Sequence, residues 1–232
     1  MFATATACAL GLASAAHAEK ITATFTGTIE VALGDVQGFG LSGSQFVGQT
    51  VKAVYTIDDS KGFSSYNAPS YSQIYGGPAF GTTSPVSAAI TVNGQTVKIA
   101  GTYASQSSQF APPSGQSSDS YSSQNRTALT SGYYDVFSYD TAYSTSDAFV
   151  KSYDYHIAPG VVPASDLSGG LFGETWYDKS FNTLSFGQFA WRPSSLTITA
   201  QGGVPEPATW GLMFAGFGLA GAVLRRRSHA AA

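Results

Sequence analysis

Apolar and polar residues alternate along much of this chain with a period of two. In Ile21-Thr22-Ala23-Thr24-Phe25-Thr26-Gly27-Thr28-Ile29-Glu30 the positions Ile21, Ala23, Phe25 and Ile29 fall on one face and the threonines on the other. That is the pattern of a β-strand buried on one side. Residues 51–57 repeat it and end at Asp58-Asp59, and the Gly-rich stretch 34–40 between the two strands reads as a loop. The sharpest local signal is Asn93-Gly94, set between Ala88-Ala89-Ile90-Thr91-Val92 and Gln95-Thr96-Val97-Lys98-Ile99. A two-residue type I′ turn needs positive φ at both central positions, which Asn and Gly tolerate, so a hairpin is expected here. Pairing outward from the turn sets Ile90 opposite Val97 with Val92 and Ile99 on the same face, so register and hydrophobic pattern agree.

Further short strands are expected at 133–139, 148–157, 183–186, 188–192 and 196–200, each rich in β-branched or aromatic residues. Residues 61–85, rich in Ser, Tyr, Gly and Pro, read as a surface excursion. Residues 105–130, with Ser-Ser-Gln repeats and Pro112-Pro113, read as a mobile low-complexity loop. Pro159-Gly160 and Ser168-Gly169-Gly170 read as turns, and 163–167 as one helical turn. The body shows no sustained helical period. The expectation is an all-β fold, an antiparallel β-sandwich of jelly-roll or immunoglobulin-like kind with about eight strands or more.

Two stretches do not alternate. Residues 1–18 carry an apolar run through Ala7-Cys8-Ala9-Leu10-Gly11-Leu12-Ala13 and then the small-residue site Ala16-His17-Ala18, the form of a signal peptide cut after Ala18. No Lys or Arg precedes the run, which points to a start codon upstream. Residues 204–232 open with Pro205-Glu206-Pro207, whose prolines cannot continue a helix backwards, so a helix starts near Ala208. Residues 208–224 are apolar, about seventeen residues or roughly 25 Å as a helix, enough for a thin membrane crossing. Trp210 sits at one end, as an interfacial ring does, and Arg225, Arg226 and Arg227 sit at the other, where the positive-inside bias holds them in the cytoplasm. Gly216 with Ala220 and Gly218 with Ala222 would let a partner helix approach closely.

This tail closely resembles the PEP-CTERM sorting signal, in the variant whose Pro-Glu-Pro is followed by a Trp and a Gly/Ala-rich helix. The matching residues are Pro205, Glu206, Pro207, Trp210, Gly216, Gly218, Gly221 and Arg225 to Arg227. The resemblance implies recognition by an exosortase, a polytopic membrane protease or transpeptidase of exopolysaccharide-producing Gram-negative bacteria, and cutting near the Pro-Glu-Pro. It implies export through the Sec machinery and a transient inner-membrane anchor with a cytoplasmic C-terminus. The body would be periplasmic and then at the cell surface or outside the cell. The succession Phe-Thr-Gly-Thr-Ile, Asp-x-x-Gly-Phe-Gly and Tyr-Thr-Ile-Asp near the N-terminus is also similar to the first part of many PEP-CTERM passenger domains, which supports the fold class alone.

The body between the two signals, residues 19–203, is long enough for one packed domain. Its eight basic residues stand against thirteen acidic ones, a net charge of −5, which argues against nucleic acid as a partner. The chain's one cysteine, Cys8, lies in the signal peptide, so the body has neither disulfides nor thiol chemistry. His156 is the one histidine of the body, and no serine lies in a Gly-x-Ser-x-Gly elbow. A lone His without Cys is a poor zinc site. Glu30 and Glu174 would be a glycosidase pair only if the fold brought them together, and the reading is a non-enzymatic protein without a cofactor.

Calcium is the metal the loop carboxylates would suit, with Asp58 and Asp59 as candidates. The thirteen tyrosines cluster at 66–75 and 133–155. Tyr133, Tyr134, Tyr139 and Tyr153 are the candidates for stacking on sugar rings, with exopolysaccharide as the partner and Tyr-rich loops as the setting. Trp176 and Trp191 read as core residues.

Overall fold

The computed structural model describes residues 20–67, 71–110, 117–144, 162 and 164–201, all within one unit spanning Glu19–Gly202. The strands are β1 (Lys20–Gly34), β2 (Thr50–Asp58), β3 (Phe63–Asn67), β4 (Tyr71–Gly76), β5 (Val86–Val92), β6 (Gln95–Ile99), β7 (Ala104–Phe110), β8 (Ser117–Leu129), β9 (Gly132–Ser144), β10 (Leu167–Asp178) and β11 (Thr183–Gln201). All pair antiparallel in one hydrogen-bonded sheet of order β3-β4-β7-β8-β9-β10-β11-β1-β2-β5-β6. The all-β antiparallel expectation is met. Hydrogen bonding runs unbroken through all eleven strands rather than stopping between two sheets. The sheet curls, so that β5 packs against β7 and β8, and β6 against β8 and β9.

Curling needs local excess length, which β-bulges supply. Register shifts between Thr26 and Gly27 and between Ile29 and Val31 bend the β1–β11 pair, and another lies between Leu167 and Gly169 in β10. Pro193 sits opposite Gly27 at the first bulge, where a strand tolerates a residue with no N–H to give. A Cβ on Gly27 would run into the Arg192 carbonyl, so the strands close here only on glycine.

The curl encloses the alternation read from the sequence. Ile21, Ala23, Phe25 and Ile29 of β1 and Val51, Ala53, Tyr55 and Ile57 of β2 are all buried, as are Ile90, Val92 and Ile99 of the hairpin. Ile90 pairs with Val97, and Asn93 and Gly94 have φ of 51° and 73°, the geometry of the expected turn. From the segment between β1 and β2, Phe39 and, at the end of a 3-10 turn (Gly43–Phe46), Phe46 turn inward onto Phe189, with centroids 5.5 and 5.2 Å from its ring; Phe189 in turn stacks on Phe172 at 5.2 Å.

Four expectations are corrected. Residues 61–85 hold β3 and β4, and residues 105–130 hold most of β7 and β8 rather than a mobile loop. The inward side chains of β7 and β8 are hydroxyls and a carboxyl, namely Ser105, Ser107, Asp119, Tyr121 and Ser123, so the strand period is present but carries no hydrophobic signal. Ser105 and Ser123 are buried with backbone partners, and Tyr121 donates to Asp119 Oδ2 at 2.6 Å. Ser123 Oγ lies 3.1 Å from the Val86 carbonyl and 3.2 Å from that of Ile99, and Ser105 Oγ accepts the Val86 N–H at 2.9 Å. The turn expected at 168–170 is instead the bulged start of β10, and the three strands expected between 183 and 200 are the single long β11. The helical turn near 163–167 appears as a 3-10 turn at Ala164–Asp166. The strand expected at 148–157, the signal peptide and the membrane-spanning helix at 208–224 lie outside the described residues.

Candidate functional site

The sheet's outer face carries the most developed surface features. Its cross-strand register sets Gln106 opposite Ser122, Ser122 opposite Tyr139, Tyr139 opposite Leu171, Leu171 opposite Ala190, and Ala190 opposite Val31. One continuous row of cross-strand neighbours thus crosses β7, β8, β9, β10, β11 and β1. Beside it runs a second row, Ala104, Gln124, Phe137, Gly173, Gln188 and Leu33. The phenyl ring of Phe137 lies over Gly173, where a Cβ would come within 2.5 Å of its Cζ, so the ring covers the sheet instead of standing up from it. Small residues and this flattened ring leave two depressions, of about 380 and 430 Å³. Tyr139, 44% exposed, lines both.

Charge in this region is internally compensated. Arg126 grips Asp135 with Nε–H to Oδ1 at 2.8 Å and Nη2–H to Oδ2 at 2.6 Å, while Gln124 Nε2 donates to Oδ2 at 2.9 Å. The bond to Asp135 holds the guanidinium pKa above its ordinary value against the opposing effect of burial. Its carbon lies 3.7 Å from the centroid of the Tyr103 ring. At the far end, Arg192 Nε is 3.0 Å from Glu30 Oε1.

The tyrosine candidates separate. Tyr139 stands on the outer face at the depressions. Tyr133 stacks on Phe181 at 4.7 Å and 6°, beside Arg126. Tyr134 faces the other way, against Trp176 at 4.7 Å and close to Glu174; burial and then Glu174 raise its hydroxyl pKa. Tyr153 and His156 lie outside the described residues, as do Ala16, Ala18 and the whole tail motif of Pro205, Glu206, Pro207, Trp210, Gly216, Gly218 and Arg225 to Arg227. The three described candidates sit on a strand and not in loops. Trp191 is buried as expected, whereas Trp176 is half-buried.

Asp58 ends β2 as a turn carboxylate, taking Ser60 Oγ at 2.5 Å and Lys61 Nζ at 3.0 Å. Slight burial pushes its pKa up, but those two partners outweigh it and the net shift is downward. Asp59 follows it in the turn. Among the described residues no three His, Cys, Asp or Glu side chains cluster as a metal site would require. Glu174 is buried and accepts the Gln37 N–H at 3.1 Å, while Glu30 is exposed and paired with Arg192. Burial raises the Glu174 pKa, opposed by its Gln37 and Tyr134 hydrogen bonds.

Sequence reading missed Gln106, Ser122, Gln124 and Phe137 as site residues, the first three because 105–130 read as loop. The period-two placement of Asp119, Tyr121 and Ser123 between serines was the signal available.

The body is thus an all-β antiparallel domain with an aromatic and amide-lined outer face. The chain around it carries a PEP-CTERM protein-sorting motif, whose family model matches residues 203–227. That motif implies export, a C-terminal membrane anchor before sorting, and processing by an exosortase. No curated protein and no solved structure matches the chain. Among the described residues no helix is long and apolar enough to cross a membrane.

Proposed function

We propose that this is a non-enzymatic cell-surface or extracellular-matrix protein of an exopolysaccharide-producing Gram-negative bacterium, routed by its tail and carrying the β-domain as cargo. The observation that carries the reading is the sorting motif at residues 203–227. Sec export would deliver the body to the periplasm, with Arg225 to Arg227 holding the C-terminus in the cytoplasm until the exosortase acts near Pro205-Glu206-Pro207. The non-enzymatic part is supported by what the carboxylates do: Glu174 and Asp140 are spent on internal hydrogen bonds, and Asp135 and Glu30 on arginines. Each of these four already has a structural partner, which favours a body without acid–base catalysis.

Expression with and without an exosortase, in the native chain and with Arg225 to Arg227 changed to Ser, tests the routing. The native chain should leave the membrane fraction only when the exosortase is present. The Ser variant should be mis-sorted in both backgrounds. A native chain recovered from the cytosol with its tail uncut would overturn the reading.

A second reading, carbohydrate binding through exposed tyrosines, is favoured by one observation, the position of Tyr139 in the wall of both outer-face depressions.

A further inference from the structure

We infer that the two outer-face depressions form one continuous binding trough for a neutral, linear polysaccharide, with Tyr139 as the stacking platform at its centre. The inference rests on the carbohydrate reading and gives it a place, a ligand class and a direction across the sheet.

Length comes first. The row from Gln106 to Val31 spans six neighbouring strands, and at the spacing of hydrogen-bonded strands its five steps cover about 24 Å. That is room for several pyranose rings end to end and too long for a single monosaccharide. A chain lying there runs perpendicular to the strands and passes over Tyr139.

Lining chemistry comes second. A pyranose presents C–H groups on its faces and hydroxyls around its rim, so it needs a flat ring below and neutral donors and acceptors beside it. Tyr139 supplies the ring. In the first depression Gln106, Ser122 and Gln124 lie beside it, with Phe80 and Tyr177 as further aromatic wall. Amides and hydroxyls both donate and accept, which suits a hydroxyl rim. In the second depression Leu171, Ala190 and the bare backbone of Gly169, where a Cβ would meet almost nothing, keep the floor low.

Charge selects among polysaccharides. The carboxylates that line the two depressions are each held by an arginine, Asp135 of the first by Arg126 and Glu30 of the second by Arg192. The body as a whole is acidic, so a uronic-acid or sulfated chain would be repelled and a neutral one admitted. A peptide is a poorer occupant. The trough lies on the face of strands whose backbone groups are already paired on both sides, so no main-chain hydrogen bonds are left for strand addition.

Affinity electrophoresis of the purified full-length chain tests this, in gels holding dextran, a β-1,3-glucan, a galactomannan or, as the polyanion, alginate. The expected result is retardation in at least one neutral gel and none in alginate. Tyr139→Ala should weaken that binding about tenfold or more, as loss of one stacked ring does. Ala190→Lys, which raises the floor, should also weaken it. Tyr143→Ala should not, since Tyr143 is as exposed, at 43%, but lines neither depression. Circular dichroism of each variant reports whether the β-fold is intact.

Neutral-glycan binding that survives both Tyr139→Ala and Ala190→Lys would overturn the trough while leaving the carbohydrate reading standing. Retardation in alginate alone would overturn the neutral trough while leaving the carbohydrate reading standing, and retardation in no gel would overturn both. Self-association through this face, abolished by Tyr139→Ala in a chain that binds no glycan, would do the same.

Discussion

Tyr55 Oη donates to Asp140 Oδ2 at 2.9 Å and shares a 2.7 Å hydrogen bond with Ser138 Oγ, joining β2 to β9 across the interior. In the sheet β10, β11 and β1 lie between those two strands, so the contact exists only because the sheet curls. A phenol has one proton to give. With that proton on Asp140, Ser138 supplies its own to the phenol oxygen. Tyr55→Phe leaves a fully buried carboxyl without its donor and should cost about 1–3 kcal/mol, read as a lower urea midpoint at unchanged m-value.

The same carboxyl sets a pH dependence. Burial pushes the Asp140 pKa well above the ordinary carboxylate range, against the opposing pull of Tyr55 and of nearby Trp191. The Trp191 indole lies close enough to exert that pull but outside hydrogen-bond geometry, so its Nε1 and Asp140 Oδ1 have no hydrogen-bond partner. Glu174 is shifted the same way. A carboxyl with a raised folded-state pKa holds its proton longer in the folded chain. Its contribution is therefore complete below about pH 4 and is lost as pH rises through the folded value. Asp58 and Asp178 are shifted downward. For Asp58, slight burial is outweighed by Ser60 and Lys61, and Asp178 is held down by Asn182. Their contributions are present above about pH 4 and fade on acidification below it. Thermal midpoints should thus peak on the acid side of neutrality, and Asp140→Asn should flatten the decline above the peak. An unchanged slope in that variant would refute the assignment.

Gly170 is fixed by what surrounds it. A Cβ there would collide with the Trp191 ring and with Asp140 Oδ1, both inside the core. Gly170→Ala should destabilise by about 1–3 kcal/mol or more through overpacking. Gly94→Ala meets nothing within 4 Å and loses only the ease of a positive φ, 73°. It should cost about 1 kcal/mol. Chemical denaturation of the two variants side by side should rank them in that order.

Replacing Arg126 tests the paired charges. Asp135 is almost fully buried, so Arg126→Met strands it without a counter-charge and should cost about 3–5 kcal/mol. Arg126→Lys keeps the charge but loses the two-pronged contact and the flat stacking on Tyr103, and should fall between the native chain and the Met variant. Equal midpoints for Lys and Met would mean that geometry, not charge, does the stabilising.

Residue pattern alone determined those parts of this protein whose physics is local. Alternation placed β1 and β2, Asn93-Gly94 placed the β5–β6 turn and its register, and the order Pro-Glu-Pro, apolar run and arginines marked the sorting tail, because each depends on neighbours in the chain. The tertiary structure alone decided the rest. Ser105 and Ser123 look like loop residues until strands distant in sequence bring Val86 and Ile99 to their hydroxyl groups. Gln106, Ser122, Tyr139, Leu171, Ala190 and Val31 become one row only when the register of six strands lines them up. That long-range pairing leaves no period in the sequence from which the row could be read.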